Sequence, residues 1–347
     1  MKAFLFRSTL LVCLTFAFAA FASAQTAAEF FKRGYNASQA NDFPTAIAEY
    51  SNAIQTDPSH TSAYYNRAIA YQRRGDRDLA ILDYTKAIQL DPKKTEAYIN
   101  RANLYSDMGS TALAIADYSK VIELEPAHAN AYFNRGFAYK RQKMYTEALA
   151  DYDRSIGLDR KVAKVHYMRA TLNVVMANFA DAVRDFDTAE RLGYDPANIR
   201  HLRAWAFLFN GQNDRAHAEV VEYFAKTPRK DRSPAVAAVG YLALRRKGDS
   251  VAANALLRDV SSKVDHSPIS AAIYKFLLGE MPEEAFLEVT KERKHLAVGH
   301  GYVGEMYLLA GDANSAAKHF KWVAENGDKL LSEYLLAVAE LRLLANK

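Results

Sequence analysis

Apolar residues in this chain return at helical spacing within short segments, and the segments themselves return every 34 residues. Tyr64, Ala68 and Tyr71 share one face of a stretch from Thr61 to Arg74, and Ala80, Tyr84, Ala87 and Ile88 share one face of Arg77 to Leu90. Spacings of three and four residues gather apolar side chains into a stripe along an α-helix, so each unit reads as two amphipathic helices. The turns carry their own signals. Gly75, Gly109 and Gly211 stand where a left-handed residue ends the first helix, while Asp57-Pro58, Asp91-Pro92 and Glu125-Pro126 stop the second helix and open the next unit.

The same 34-residue ruler runs through single positions without an insertion or deletion. It finds small residues at Gly34, Ala68, Ala102, Gly136, Ala170 and Ala204, and alanine at 46, 80, 114, 148, 182 and 216. It also finds Arg33, Arg67, Arg101, Arg135, Arg169 and Arg203, each followed 16 residues later by an acid: Glu49, Asp83, Asp117, Asp151, Asp185 and Glu219. A repeat array grows by adding units that bury each other's faces, and its long surface serves partners more often than chemistry.

The order of large aromatic (Phe30, Tyr64, Tyr98, Tyr132), small residue, aromatic (Tyr71, Tyr105, Tyr139), alanine, aromatic (Tyr50, Tyr84, Tyr118, Tyr152, Phe186) and closing proline resembles the tetratricopeptide repeat (TPR) family. That resemblance covers residues 27 to 230 and implies an all-α fold, a right-handed solenoid of antiparallel helix pairs. The first four units are nearly ideal; the last two carry His166 and Arg200 at the first aromatic place and Asn173 at the second. Six regular units are therefore expected over residues 25–230, and irregular TPR-like pairs with a capping helix, Leu330 to Leu344, over 231–347. Within that later part, Gly304 through Asp312 followed by Glu333-Tyr334 and Ala339-Glu340-Leu341 is similar to the end of bacterial envelope TPR proteins of the NlpI lipoprotein type. Members of that group act as scaffolds for cell-wall hydrolases and proteases, which this second resemblance implies as the partner class.

The first residues add a location. Lys2 and Arg7 precede an apolar run from Leu10 to Ala22, and Ala22-Ser23-Ala24 closes it before Gln25. The run is shorter than the roughly 20 residues that span a bilayer, so residues 1–24 read as a signal peptide cleaved after Ala24. Export to a bacterial periplasm is expected, with no transmembrane segment in the mature chain. Cys13, the only cysteine, lies inside the apolar run behind Val12, unlike a lipidation site. A mature chain without cysteine has neither disulfides nor thiolate chemistry. Its formal charge falls from +5 to +3 with the loss of Lys2 and Arg7. That is too small to point to nucleic acid, and the local basic stretch at Lys226, Arg229, Lys230 and Arg232 reads as a solvated linker.

Three chemistries are open to this frame. The arginine and acid ladder, with Arg67 and Asp83, Arg101 and Asp117, Arg135 and Asp151, reads as structural, because an acid for every arginine leaves no free positive stripe. The TPR resemblance places one face of each first helix on a concave groove. On that face stand Phe31 and Tyr35, Tyr65 and Ile69, Ile99 and Asn103, Phe133 and Phe137, Tyr167 and Thr171, an apolar row suited to an extended segment or amphipathic helix of a protein or peptide partner. A carboxylate clamp of the chaperone-binding kind is poorly provided for: Asn66, Asn100 and Asn134 occupy one clamp place, but Phe31 and Tyr65 stand where a lysine is needed.

No catalytic residue, metal site or cofactor is assigned. The nine histidines lack ligand spacing, Ser315-Ala316-Ala317-Lys318 has no companion motif, and neither a phosphate loop nor a dinucleotide fingerprint occurs. The sequence thus predicts a non-catalytic scaffold or adaptor. The alternatives are a self-assembling structural module and a cell-wall hydrolase accessory with weak activity of its own.

Overall fold

A computed structural model describes residues 26–228, 233–261, 267–292, 295–327 and 332–345. Residues 1–25, with Cys13 and the expected signal peptide, and Arg229, Lys230 and Arg232 of the basic stretch lie outside the described residues. Among the described residues all regular structure is helical, and none of the helices is long and apolar enough to cross a membrane. The chain divides into two compact units, one ending at Leu158 and the other beginning at Asp159.

The first unit holds α1 (26–39), α2 (Phe43–Thr56), α3 (Thr61–Arg74), α4 (Arg77–Leu90), α5 (Thr95–Asp107), α6 (Thr111–Leu124), α7 (Ala129–Arg141) and α8 (Tyr145–Leu158). Each odd-numbered helix packs on the even-numbered one after it. Local chemistry sets the ends. Gly75 caps α3 at φ 97°, a conformation that costs glycine little, and the side chain of Asp57 accepts the Ser59 backbone N–H at 2.9 Å in the turn before α3. His60 and His128 cap α3 and α7, their Nδ1 atoms accepting from the N–H groups of Ala63 and Ala131 at 3.3 and 3.1 Å.

Packing explains the small residues. Ala46, Ala80, Ala114 and Ala148 of the second helices are fully buried, as are Ala68 and Ala102 of the first. At Gly34 a Cβ would stand 2.7 Å from the Tyr50 ring, and at Gly136 it would stand 3.0 Å from Tyr152. The small residue on one helix is the seat of the aromatic on its partner, which fixes how closely the pair approaches.

The second unit holds α9 (Ala163–Val175), α10 (Phe179–Arg191), α11 (Pro196–Phe209), α12 (Asn213–Lys226), α13 (Pro234–Arg246), α14 (Ser250–Ser261), α15 (Pro268–Leu277), α16 (Glu283–Val289), α17 (Leu296–Leu309), α18 (Ala313–Asn326) and α19 (Ser332–Ala345). Two of these helices differ from their counterparts in the first unit. Every residue from Arg203 to Phe209 in α11, and from Val236 to Leu244 in α13, is buried, so these stretches are covered all round. The covering comes from helices of the same unit, earlier and later in the chain. α19 packs on α17 and α18 and also reaches α11, and Arg342 Nη1 donates to the Ala177 carbonyl at 3.1 Å.

A buried charge cluster pins this closure. Arg246 Nη2 of α13 donates to both carboxylate oxygens of Glu305 on α17, at 3.2 and 3.0 Å, and to Glu340 of α19 at 2.5 Å. The two glutamates are buried. Burial pushes the Glu305 carboxyl above the usual carboxylate range, against the pull of Arg246, and the charge of Glu340 pushes the same way.

Candidate protein-binding surface

Positions four apart on each first helix of the first unit form two columns with different fates. Phe31, Tyr65 and Phe133 lie against the aromatic rings of their partner helices, with centroids 5.6 Å from Tyr50, 5.8 Å from Tyr84 and 6.0 Å from Tyr152. They are half-buried, anchored on the tyrosines that fill the core of each pair. Phe31 also stacks on His60 at 5.0 Å. The second column faces outward more. Tyr35 is 47% exposed and Phe137 38%, while Ile69 and Asn103 are half-buried. Ile99, in the first column, is half-buried beside the cluster of Tyr84, Ile88 and Tyr98.

Polar neighbours fix several of these side chains. The Tyr65 hydroxyl accepts from Asn100 Nδ2 of the next repeat at 3.1 Å, and Lys94 Nζ stands 4.6 Å from its ring centroid. Asn103 Oδ1 accepts from the Tyr118 hydroxyl at 2.6 Å. Asn66 Nδ2 donates to the Ser62 carbonyl at 2.8 Å. Asn66 and Asn100, which occupy the clamp place, are thereby bonded within the fold, as is Asn103 of the groove row. Burial pushes the Tyr65 phenol up and raises Tyr50 to about 12, so both stay neutral.

Tyr167 and Thr171 belong to the second unit. The Tyr167 ring stacks on Tyr194 with centroids 4.4 Å apart and tilts against Phe186 at 6.1 Å. Thr171 Oγ1 donates to the Met168 carbonyl at 2.8 Å.

Beside the apolar columns runs the ladder. Arg67 donates from Nε and Nη2 to Asp83 at 2.7 and 2.9 Å, Arg101 to Asp117 at 2.8 and 2.7 Å, and Arg135 to Asp151 at 2.8 and 2.8 Å. The remaining arm goes elsewhere. Nη1 of these arginines donates to the hydroxyls of Ser51, Thr85 and Ser119, at 2.9, 2.8 and 3.0 Å, on the second helix of the preceding repeat. One guanidinium thus joins three helices. It also lies between two rings of its own helix: Arg101 stands 5.8 Å from the centroids of both Tyr98 and Tyr105. Burial alone would lower the Arg101 guanidinium, but its hydrogen bonds to Asp117 and the charge of that carboxylate raise it, so it stays charged. The hydroxyls at 51, 85 and 119 obey the same 34-residue spacing, a signal the sequence reading passed over.

Similarities to known proteins follow the first unit most closely. Residues 61–94 and 129–162 match the description Tetratricopeptide repeat, residues 38–75 and 102–143 match TPR repeat, and residues 83–116 match a further Tetratricopeptide repeat description. Among solved structures, a tetratricopeptide repeat protein from Parabacteroides merdae is 21% identical, with the match covering 74% of this chain and 98% of that one at a TM-score of 0.50. The pilF protein of Pseudomonas aeruginosa is 18% identical over 58% of this chain and 91% of its own, with a TM-score of 0.49. MamA of Desulfovibrio magneticus is 19% identical over 48% and 94%, with a TM-score of 0.46. Identities this low speak to the fold alone.

Proposed function

Because the chain carries tetratricopeptide repeats, a fold that serves as a protein-interaction scaffold, we propose that it is a non-catalytic adaptor of the bacterial periplasm that holds a partner segment on the first unit. The surface is the row of Phe31, Tyr35, Tyr65, Ile69, Ile99, Asn103, Phe133 and Phe137. The observation that carries this reading is the contrast between the two units. In the second unit Arg203 to Phe209 of α11 and Val236 to Leu244 of α13 are buried all round by their own chain, whereas the first helices of the first unit keep an apolar row half-exposed, with Tyr35 and Phe137 presented to solvent.

The chemistry suits an extended segment or amphipathic helix with apolar anchors. Anchored rings such as Tyr65 and Phe133 lose little freedom on binding, because Tyr84 and Tyr152 already hold them, and preorganisation of that kind strengthens association. The ladder adds stiffness between repeats. The apolar run before Gln25 supports export, and the resemblance of the C-terminal order to NlpI-type envelope proteins supports cell-wall hydrolases or proteases as the partner class.

A photo-crosslinking residue in place of Phe137 tests the reading in envelope extract. The expected result is one discrete crosslinked protein, absent when the same group replaces exposed Leu82 on α4. Equal yields from both positions would remove the assignment.

A further inference from the structure

The first aromatic place of the sixth repeat holds Arg200, and that exchange opens a different kind of site. Arg200 and His201 on α11, Tyr223, Lys226 and Thr227 at the end of α12, and Ser233 at the start of α13 line a cavity of about 450 Å³. That volume lies within the range of small-molecule sites. Its described lining holds two cations and a histidine and no carboxylate.

Arg200 is the unusual member. Its side chain is only 12% exposed, and its nearest acid is Glu219, with Nε 3.8 Å from Oε1. That distance is an ion pair without a hydrogen bond. Both Glu219 oxygens are taken by Arg203, whose Nε and Nη2 donate to them at 3.1 and 3.1 Å. The ladder arginines Arg67, Arg101, Arg135 and Arg203 place all three guanidinium nitrogens on acceptors, whereas Arg200 has no acceptor within hydrogen-bonding distance among the described residues. A guanidinium that lines a cavity with its planar array of donors unclaimed by the protein is available to an oxyanion there.

The rest of the lining agrees. Burial lowers the His201 imidazole below its ordinary value, so it is neutral near pH 7 and able to donate one hydrogen bond. Lys226 stands at the rim, paired to Glu222 at 2.6 Å but 60% exposed. Ser233 precedes α13 without capping it: its N–H donates to the Tyr223 hydroxyl at 2.8 Å, and its own hydroxyl makes no capping bond.

We propose that this cavity binds a compact oxyanion, a carboxylate or phosphate group, held by two parallel hydrogen bonds from Arg200 with Lys226 at the rim. Arginine is suited to this role because its fork matches the spacing of two oxygens on such a group. The site is separate from the apolar row of the first unit and does not depend on it.

Calorimetric titration of the full chain with inorganic phosphate and with acetate, in chloride buffer, tests the proposal against Arg200→Met and Lys226→Met. The expected result is saturable uptake of at least one anion at one site per chain, weakened about tenfold or more by Arg200→Met and less by Lys226→Met. The tighter anion then distinguishes phosphate from carboxylate. No saturable uptake of either anion, or equal uptake by all three proteins, overturns the site. If circular dichroism shows that Arg200→Met does not fold, the Arg200 Nε resonance of the parent protein decides: a saturable shift on adding the anion supports the site, and an unmoved resonance overturns it.

Discussion

Nη1 of Arg101 donates to the Thr85 hydroxyl at 2.8 Å, reaching back 16 residues while the other two contacts of the same guanidinium reach forward 16 to Asp117. The ladder is therefore a coupler between repeats as well as a clasp within one. Its side chains are largely out of water, 14% exposed at Arg101 and 9% at Asp117, so the pair defines geometry more than it adds net attraction.

Arg101→Ala leaves Asp117 buried without its partner and is expected to lower stability by about 1 to 3 kcal/mol. Thr85→Val keeps the pair and removes only the backward contact, so a smaller loss of about 0.5 to 1.5 kcal/mol is expected. Urea unfolding followed by circular dichroism measures both. A Thr85→Val midpoint equal to that of the parent would remove the coupling role.

Stability of the second unit should depend on pH through Glu305. Its folded-state carboxyl is raised by burial, so the folded chain holds a proton that the unfolded chain releases. The stabilisation from that proton is complete below the ordinary glutamate range and is lost as pH rises through the higher folded value. Glu305→Gln cannot release a proton, and Glu340 remains to pair with Arg246. Between pH 5 and pH 8 the parent should therefore lose stability relative to Glu305→Gln by on the order of 1 kcal/mol. Parallel melting curves across that range would count against a protonated Glu305.

Removing α19 should expose the apolar faces that it covers. Leu336, Ala337 and Ala339 of this helix are buried. A chain ending at Gly327 is expected to bind an apolar fluorescent dye several-fold more strongly than the parent. It also leaves Arg246 with Glu305 alone. Unchanged dye fluorescence would mean that α19 covers nothing the rest of the unit leaves open.

Much of this fold was legible because its breaks carry their own chemistry. Gly75 and Asp91-Pro92 bound α3 and α4 at the residues where the structure ends them, and the C-terminal part holds the helices α13 to α18 followed by a final helix, α19. Three features were not legible. The Arg246 cluster joins residues 59 and 94 apart with no period to announce them. The backward contacts to Ser51, Thr85 and Ser119 had a period, but short hydroxyl residues on a helix surface are common enough to pass unnoticed. The all-round burial of α11 and α13 was written in Trp205 to Phe209 and Val236 to Leu244, where no polar face interrupts the apolar residues, and helical periodicity alone does not report what covers them.

On the proposed function, the first unit presents an apolar row to a protein partner. Tyr35→Ser with Phe137→Ser tests it well, because both side chains are substantially exposed, whereas Phe133 leans on Tyr152. Affinity capture from envelope extract, run with the parent and the double variant and paired with melting curves, is the direct measurement. The expected result is a discrete captured protein that the double variant loses by about tenfold or more at an unchanged melting temperature. Equal capture by the two proteins would contradict it.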